Sequence, residues 1–262
     1  MQKGRMFICT ILAIAVILAL VVLPARADIY MKQKVHTGSF TIMGQTQPEK
    51  DEIVVYWMAK DRARTDNGDK TSSIFLLDKG ILYQLDHQKK TCREMPLNVN
   101  LAIDEAVADK GKEAQEFAEL AKEMAEAFTE GMEIKVTETG EKKKIGSWNC
   151  RKYIIESKMA FGDTKSEAWA TEDLKMDPKL YLTVSNAMMA GNPGFSQMMD
   201  KIFKEMSRVK GVIVYQLNKT KAMDTEMTST MELLEFDDKT PPPGLYEVPA
   251  GYKVIKGAKN KR

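Results

Sequence analysis

The 262-residue chain has few histidines, few cysteines and almost no net charge. Its two histidines, His36 and His87, leave little choice for histidine-dependent catalysis. Lysine and arginine total 39 against 37 aspartates and glutamates, so the formal net charge is +2. A protein that binds nucleic acid needs a strongly basic face, and this balance therefore argues against nucleic acid as a partner.

The sequence also lacks the short motifs that mark common catalytic and cofactor sites. It contains no G-x-S-x-G, no H-E-x-x-H, no P-loop and no G-x-G-x-x-G pattern. We therefore predict a protein that is not an enzyme, with no catalytic residue, no cofactor and no metal site. A catalytic pair of carboxylates across a cleft, as in glycosidases, remains an alternative, because the sequence alone does not show which carboxylates face each other.

Residues 1–27 are predicted to be an export signal. Two basic residues precede an uncharged apolar run, Met6–Leu23, and the small residues Ala25 and Ala27 stand where signal peptidase would cut before Asp28. The alternative is an uncleaved anchor, because this run just reaches spanning length. Under both interpretations the body crosses the membrane. We expect a periplasmic or exported protein of the bacterial envelope that touches membrane only transiently or through an uncleaved signal.

Two cysteines remain after the predicted cleavage, Cys92 and Cys150. In an oxidising compartment, two thiols most simply form one disulfide. A metal site or a redox-active pair is the alternative, but both usually show close spacing such as C-x-x-C. The sequence therefore predicts a structural disulfide between Cys92 and Cys150.

Strand and helix patterns alternate along the chain. Apolar and polar residues alternate between turn signals in residues 28–96, which predicts an antiparallel meander of six or seven short strands. Apolar residues recur at helical spacing in 101–132 and 178–209, so we expect helices there. Without a linker or a repeat, residues 28–252 are predicted to form one domain, and 253–262 a basic tail.

The predicted helix 101–132 carries a strongly acidic face. Nine acidic residues stand against three lysines in this segment. Such a face is typical of a solvated helix, and the alternative is a docking surface for a basic protein partner.

Methionine is unusually abundant, with 18 in the chain and 16 after Met1 and Met6 are removed with the signal. Thioether side chains are flexible and suit apolar partners of variable shape. Several methionines fall in the predicted helix 178–209 and along one face of a late strand. The alternative is a Met-rich core without a cavity. We predict that an apolar ligand space is lined by Met188, Met199, Ile202, Met206, Met223, Met227 and Met231.

Several short stretches occur in a characteristic order along the chain. They include Arg62-Ala63-Arg64, Gly146–Tyr153, Ala168–Thr171 and the ending Leu245–Tyr252. Together they resemble an uncharacterised family of exported bacterial proteins, a domain of unknown function similar to the LolA-like lipoprotein-carrier superfamily. The resemblance implies an α+β fold, in which a strongly curved antiparallel sheet forms an incomplete barrel with helices packed on its concave side.

The resemblance also implies a function, because relatives in that superfamily hold or sense lipid chains between sheet and helices. We therefore expect a periplasmic, non-enzymatic binding protein that holds a hydrophobic ligand, a lipid or a lipoprotein acyl chain. The alternative is an envelope module for protein interaction or stress sensing. In that case side chains would fill the interior, and the acidic helix 101–132 would contact the partner.

Overall fold

The computed structural model describes most of the chain after the predicted export signal. The described residues are 27–42, 44–97, 111–112, 115–116, 119–120, 123, 133–159, 162–177, 180, 184, 195–222 and 225–256. Ala27 is therefore described, whereas Ala25 lies outside these ranges.

Fourteen strands and one helix have defined bounds in this part of the chain. In order they are β1 Asp28–Thr37, β2 Phe40–Ile42, β3 Gln45–Gln47, β4 Lys50–Met58, β5 Arg62–Asn67, β6 Thr71–Leu76, β7 Ile81–Asp86, β8 Thr91–Pro96, β9 Glu133–Ile145, β10 Trp148–Met159, β11 Gly162–Thr171, α1 Phe195–Met206, β12 Val212–Ala222, β13 Thr225–Lys239 and β14 Lys253–Lys256.

Twelve of these strands form one sheet in the order β14-β8-β7-β6-β5-β4-β1-β13-β12-β11-β10-β9. The first strand, β1, pairs antiparallel with both β4 and β13, so it joins two meanders into one sheet. The strands at the two ends are β9 and β14, and the sheet does not close. Within the predicted basic tail, β14 adds to the sheet edge in parallel with β8.

The predicted α+β class, with helices packed on the concave side of the sheet, is wrong. Strands account for most of the described residues, and α1 is a helix of 12 residues. Its contacts concentrate on the edge strand β9, so it does not form a layer across the sheet. Strands β9 and β10 also run further than their alternation predicted, to 13 and 12 residues, which adds to the strand content.

The two predicted helices are described in part. Leu180, Val184 and α1 are helical within 178–209. Most other residues of both segments lie outside the described ranges. Within 101–132, the described helical residues are all exposed, and they are Lys112, Gln115, Glu116, Glu119, Leu120 and Glu123.

An apolar row crosses the N-terminal meander and forms part of the main core. Each member lies directly opposite the next across a strand pair, so side chains of one face pack in sequence along the sheet. Burial of this row removes a continuous apolar surface from water. Its members are Ile29, Met58, Ala63, Phe75, Leu82 and Met95.

The C-terminal segment 241–252 covers the other face of the same strands. Tyr246, with Val248 and Tyr252, packs against the buried residues Ile74, Leu85 and Cys92. The Tyr246 hydroxyl donates to Asp28 Oδ2 at 2.7 Å. Polar anchors of this kind tie the end of the chain to its first strand.

A hydrogen-bonded cluster fixes the far end of this segment. Arg64 and Asp66 both contact Ser72 Oγ, which also lies 2.6 Å from His87 Nε2. Arginine can only donate and a carboxylate can only accept, so the Ser72 hydroxyl donates to Asp66 and accepts from His87. His87 Nδ1 lies 2.6 Å from the Tyr252 hydroxyl, so the imidazole ring links Ser72 to Tyr252.

The Tyr246→Phe substitution is expected to lower the free energy of unfolding by about 2 kcal/mol, because the Asp28 carboxylate, 2% exposed, loses a donor. Burial, together with the bond to Asp28, raises the pKa of Tyr246 above its ordinary value of 10.0. The wild type should therefore exceed the variant in free energy of unfolding by the full amount below pH 10.0, where tyrosine is protonated in both the folded and the unfolded chain. Above that pH the unfolded tyrosine ionises, and the difference should shrink.

Chemical denaturation at several pH values measures this effect. Tyr83→Phe is the matched control, because the Tyr83 hydroxyl makes no hydrogen bond within the described residues. Equal losses in the two variants would show that the bond to Asp28 contributes nothing specific.

Candidate functional site

The residues of β13 alternate between two sides of the sheet. Met227 and Met231 are half-buried and Leu233 is buried, whereas Glu226 and Glu232 on the opposite side are exposed. This alternation was predicted from the sequence and is confirmed. We call the side that carries the two methionines the inner face.

The inner face continues from β13 across β12, β11 and β10 in three parallel rows. The members of a row are direct cross-strand neighbours, and those of adjacent rows alternate with outward-facing residues. The first row is Met231, Gln216, Ala168 and Tyr153; the second is Ser229, Asn218, Ser166 and Ile155; the third is Met227, Thr220, Thr164 and Ser157.

Uncharged polar side chains form a connected strip along the middle of this face. Asn218 Oδ1 accepts from Ser166 Oγ at 2.7 Å and from Gln216 Nε2 at 2.6 Å. The Asn218 amide nitrogen donates to Ser229 Oγ at 3.2 Å. Thr164 and Thr220 share a further hydrogen bond one row away. We call these six residues the polar strip.

Apolar residues border the polar strip on both sides. On β13 the border consists of Met227 and Met231. On β9 and β10 it consists of a cluster around Val136 and Ile155, against which Met206 of α1 packs. The Val136 backbone N–H also donates to Glu205 Oε2 at 3.1 Å, which holds α1 beside the edge strand. The site is thus a neutral polar strip between two apolar margins.

The predicted lining residues fall into two groups on this face. Met227 and Met231 lie on one margin and Met206 on the other, while Ile202 is half-buried in α1. Met199 belongs to α1, and its side chain is outside the described set. Met188 and Met223 lie outside the described residues. The structure therefore brings the described methionines to one face but separates them by the polar strip.

The two cysteines are free and buried in different places, so the predicted disulfide is absent from the structure. Cys92 lies on β8 beside Ile74, and Cys150 lies on β10 in the cluster that contains Trp169. Eight strands separate β8 from β10 in the sheet order. Burial raises the pKa of both thiols, which disfavours the reactive thiolate form.

A protein that starts at Asp28 should show two titratable thiols in denaturant without reductant, and neither should react quickly while it is folded. The reason is that both thiols are buried, with 0% and 2% exposure. A colorimetric thiol assay, with the reduced protein as its control, measures both states. A denatured protein without free thiols would establish the Cys92–Cys150 bond instead.

The described residues contain no group of three or more His, Cys, Asp or Glu placed to hold a metal ion. In the same part of the chain, no helix is long and apolar enough to cross a membrane.

Comparisons with known proteins place the chain beside uncharacterised families. The sequence profile of a family described as a domain of unknown function, DUF4412, matches residues 107–252. No curated protein matches the chain. A crystal structure of a DUF1329 family protein from Desulfovibrio piger ATCC 29098 is similar over 89% of this chain and 94% of that one, at 9% identity and a TM-score of 0.19.

Sequence reasoning missed the polar strip, although it had identified the methionines that border it. Alternating polar residues in a strand usually indicate a solvent-facing side, and Gln216 and Asn218 fit that pattern. Their partner, Ser166, is only 4% exposed and lies on another strand. The sequence did contain one signal for the polar strip. One side of these strands carries amide and hydroxyl groups without charges, whereas the other side is strongly charged.

The Asn218→Ala substitution should lower the free energy of unfolding by about 2 kcal/mol, because Ser166 and Gln216 lose a shared acceptor on a partly buried face. Lys219→Ala, the next residue on the exposed side, is the matched control and should change stability little. Urea denaturation compares them. If both variants lose the same stability, the polar strip is not an internally bonded network.

Proposed function

We propose that this chain, which belongs to the DUF4412 family, is a non-enzymatic binding protein that holds a hydrophobic ligand against its inner face. The ligand class is a lipid or the acyl chain of a lipoprotein. The observation that carries the proposal is the arrangement of this face, with a neutral polar strip between two apolar margins. Membership of an uncharacterised family was predicted from the sequence and is confirmed.

The methionine margin suits the hydrocarbon part of such a ligand. Met227 and Met231 are half-buried, so their side chains still offer apolar surface to another molecule. Flexible thioethers adapt to chains of different length and bend. Contact with a hydrocarbon would remove apolar surface of both partners from water, at about 25 cal/mol per Å².

The polar strip suits the linkage by which acyl chains are attached. Ester and amide linkages carry no charge, and neither does any side chain of the polar strip, so the two can lie against each other without burying an ion. Because the strip residues already bond to one another, an apolar group that covers them leaves few unpaired donors. Charged side chains in the same place would lose their hydration under the ligand, and the desolvation free energy would be much larger than for these uncharged groups.

The proposal places the protein in the bacterial periplasm or at the cell surface. One observation supports export with cleavage after Ala27: β1 begins at Asp28, the residue that follows the predicted cut. Asp28 is 2% exposed and bonded to Tyr246, so the residue after the predicted cut is itself part of the packed sheet. Cell fractionation would test this placement, and recovery of the protein in the cytoplasmic fraction alone would contradict it. N-terminal sequencing would test the cleavage, and an N-terminus at Met1 would contradict cleavage after Ala27.

The double substitution Met227→Gln and Met231→Gln should lower the ligand occupancy several-fold, because the methionine margin becomes polar. Native mass spectrometry of protein purified from the periplasm, followed by solvent extraction, measures the occupancy and the class of the bound molecule. Thr228→Gln with Thr230→Gln is the matched control, since both residues alternate to the other side of β13.

Two outcomes would contradict the proposal. One is wild-type protein that carries no extractable lipid and also fails to take up added fatty acid or phospholipid. The other is equal lipid occupancy in the methionine variant and its control, with circular dichroism spectra that match the wild type.

A further inference from the structure

A surface cleft of about 430 Å³ lies beside the β9–β10 hairpin, the end of β11 and the entry to β12. It adjoins Tyr153, the last member of the first inner-face row, through Lys210. This volume is within the range of sites that take organic ligands rather than bare ions. All of its lining residues fall inside the family match at 107–252. They are Lys142, Lys143, Asn149, Cys150, Arg151, Ala170, Glu172, Asp173 and Lys210.

The two carboxylates of the cleft are already engaged. Glu172 and Glu138 lie 3.5 Å and 3.4 Å from the guanidinium of Arg151. Asp173 accepts from the backbone N–H of Asn149 at 2.7 Å, and this donation holds the pKa of Asp173 below its ordinary value. Glu172 is therefore paired with a cation of the cleft, whereas Asp173 is bonded to a neutral amide and keeps its negative charge.

The three lysines, in contrast, lack acidic partners. Within the described residues, no carboxylate oxygen lies within 4.0 Å of the ammonium groups of Lys142, Lys143 or Lys210. The Lys143 ammonium lies over the ring of Trp169, 4.0 Å from its centroid, which adds a cation–π contact. The lining side chains thus carry four positive charges, on Lys142, Lys143, Arg151 and Lys210, against two negative charges, on Glu172 and Asp173.

The backbone around Lys210, which carries one of these charges, is closely packed against β11. Gly211 has a φ of +90°, and a Cβ at this position would lie 1.9 Å from the Thr171 carbonyl oxygen. The backbone here passes too close for any other residue, and this holds the neighbouring Lys210 beside β11. The Lys210 backbone N–H also donates to the buried hydroxyl of Tyr153 at 3.3 Å. The backbone that leads into β12 is therefore held by two contacts, the close approach at Gly211 and the hydrogen bond from Lys210.

We propose that this cleft is a binding site for a phosphate ester. The excess of positive charge in the lining matches a phosphate monoester, which carries between one and two negative charges near neutral pH. Lysines act as point charges and recognise phosphate without a fixed bidentate geometry. The volume leaves room for the alcohol part of the ester. None of the lining residues belongs to the polar strip or is one of the bordering methionines, so this inference does not rest on the proposed lipid-binding function.

The phosphate ester has two chemical sources, a soluble small molecule or the headgroup of an acidic phospholipid. Glycerol phosphate is the probe for the first source, titrated by isothermal calorimetry at low salt. Phosphatidylcholine vesicles doped with phosphatidic acid are the probe for the second, with undoped vesicles as the reference. Binding should weaken as the salt concentration rises, because the contact is electrostatic.

The triple variant Lys142→Gln, Lys143→Gln, Lys210→Gln should reduce the affinity at least tenfold for whichever probe binds. Lys144→Gln is the matched control, because Lys144 is exposed on the same strand but does not line the cleft. The charge-preserving variant Lys142→Arg, Lys143→Arg should keep most of the affinity, which separates loss of charge from loss of structure.

Lysine-dependent binding of either probe supports the site and identifies the source of its ligand. The proposal is overturned if neither probe binds the wild type, or if the triple variant and Lys144→Gln bind equally well. Neither result depends on whether lipid is found on the inner face, so the two proposals fail separately.

Discussion

The antiparallel pairing of β1 with β13 is the constraint on which the rest of the molecule depends. It joins the first strand of the domain to a strand about 200 residues later, and it unites two meanders in one sheet. Its register places Val35 opposite Met231 and Gln33 opposite Leu233. A slip by one residue would turn Met231 outward and bring Glu232 to the inner face. The candidate site therefore exists only in this register.

This constraint also explains why the family match does not mark a separate structural unit. Residues 107–252 contain the inner-face strands β9–β13, but their partner β1 lies before that stretch. The C-terminal segment lies inside the match but bonds to residues before it: Tyr246 donates to Asp28, and Tyr252 is hydrogen-bonded to His87. The residues of both proposed sites lie within the matched part, whereas strands outside it, β1 above all, help to hold them in place.

The sequence was informative where local alternation decides the structure. The strands of the meander and the facing of Met227 and Met231 follow from a period of two residues, which neighbours along the chain reveal. The polar strip around Asn218 depends on three strands and their register, which no local pattern contains. Strand β14 is short and parallel, so its partner could not be read from residues 253–256. The α+β class failed because helical stripes were given more weight than strand length.

The most direct test of the account is photo-crosslinking with a fatty acid that carries a diazirine group on its chain. The labelled ligand is bound to the intact protein and irradiated, and the modified peptides are identified by mass spectrometry. The account predicts that modification concentrates on inner-face residues of β12 and β13, including Met227 and Met231. Modification centred on the exposed side, at Glu226 and Lys219, would contradict it, as would a ligand that leaves no saturable crosslink.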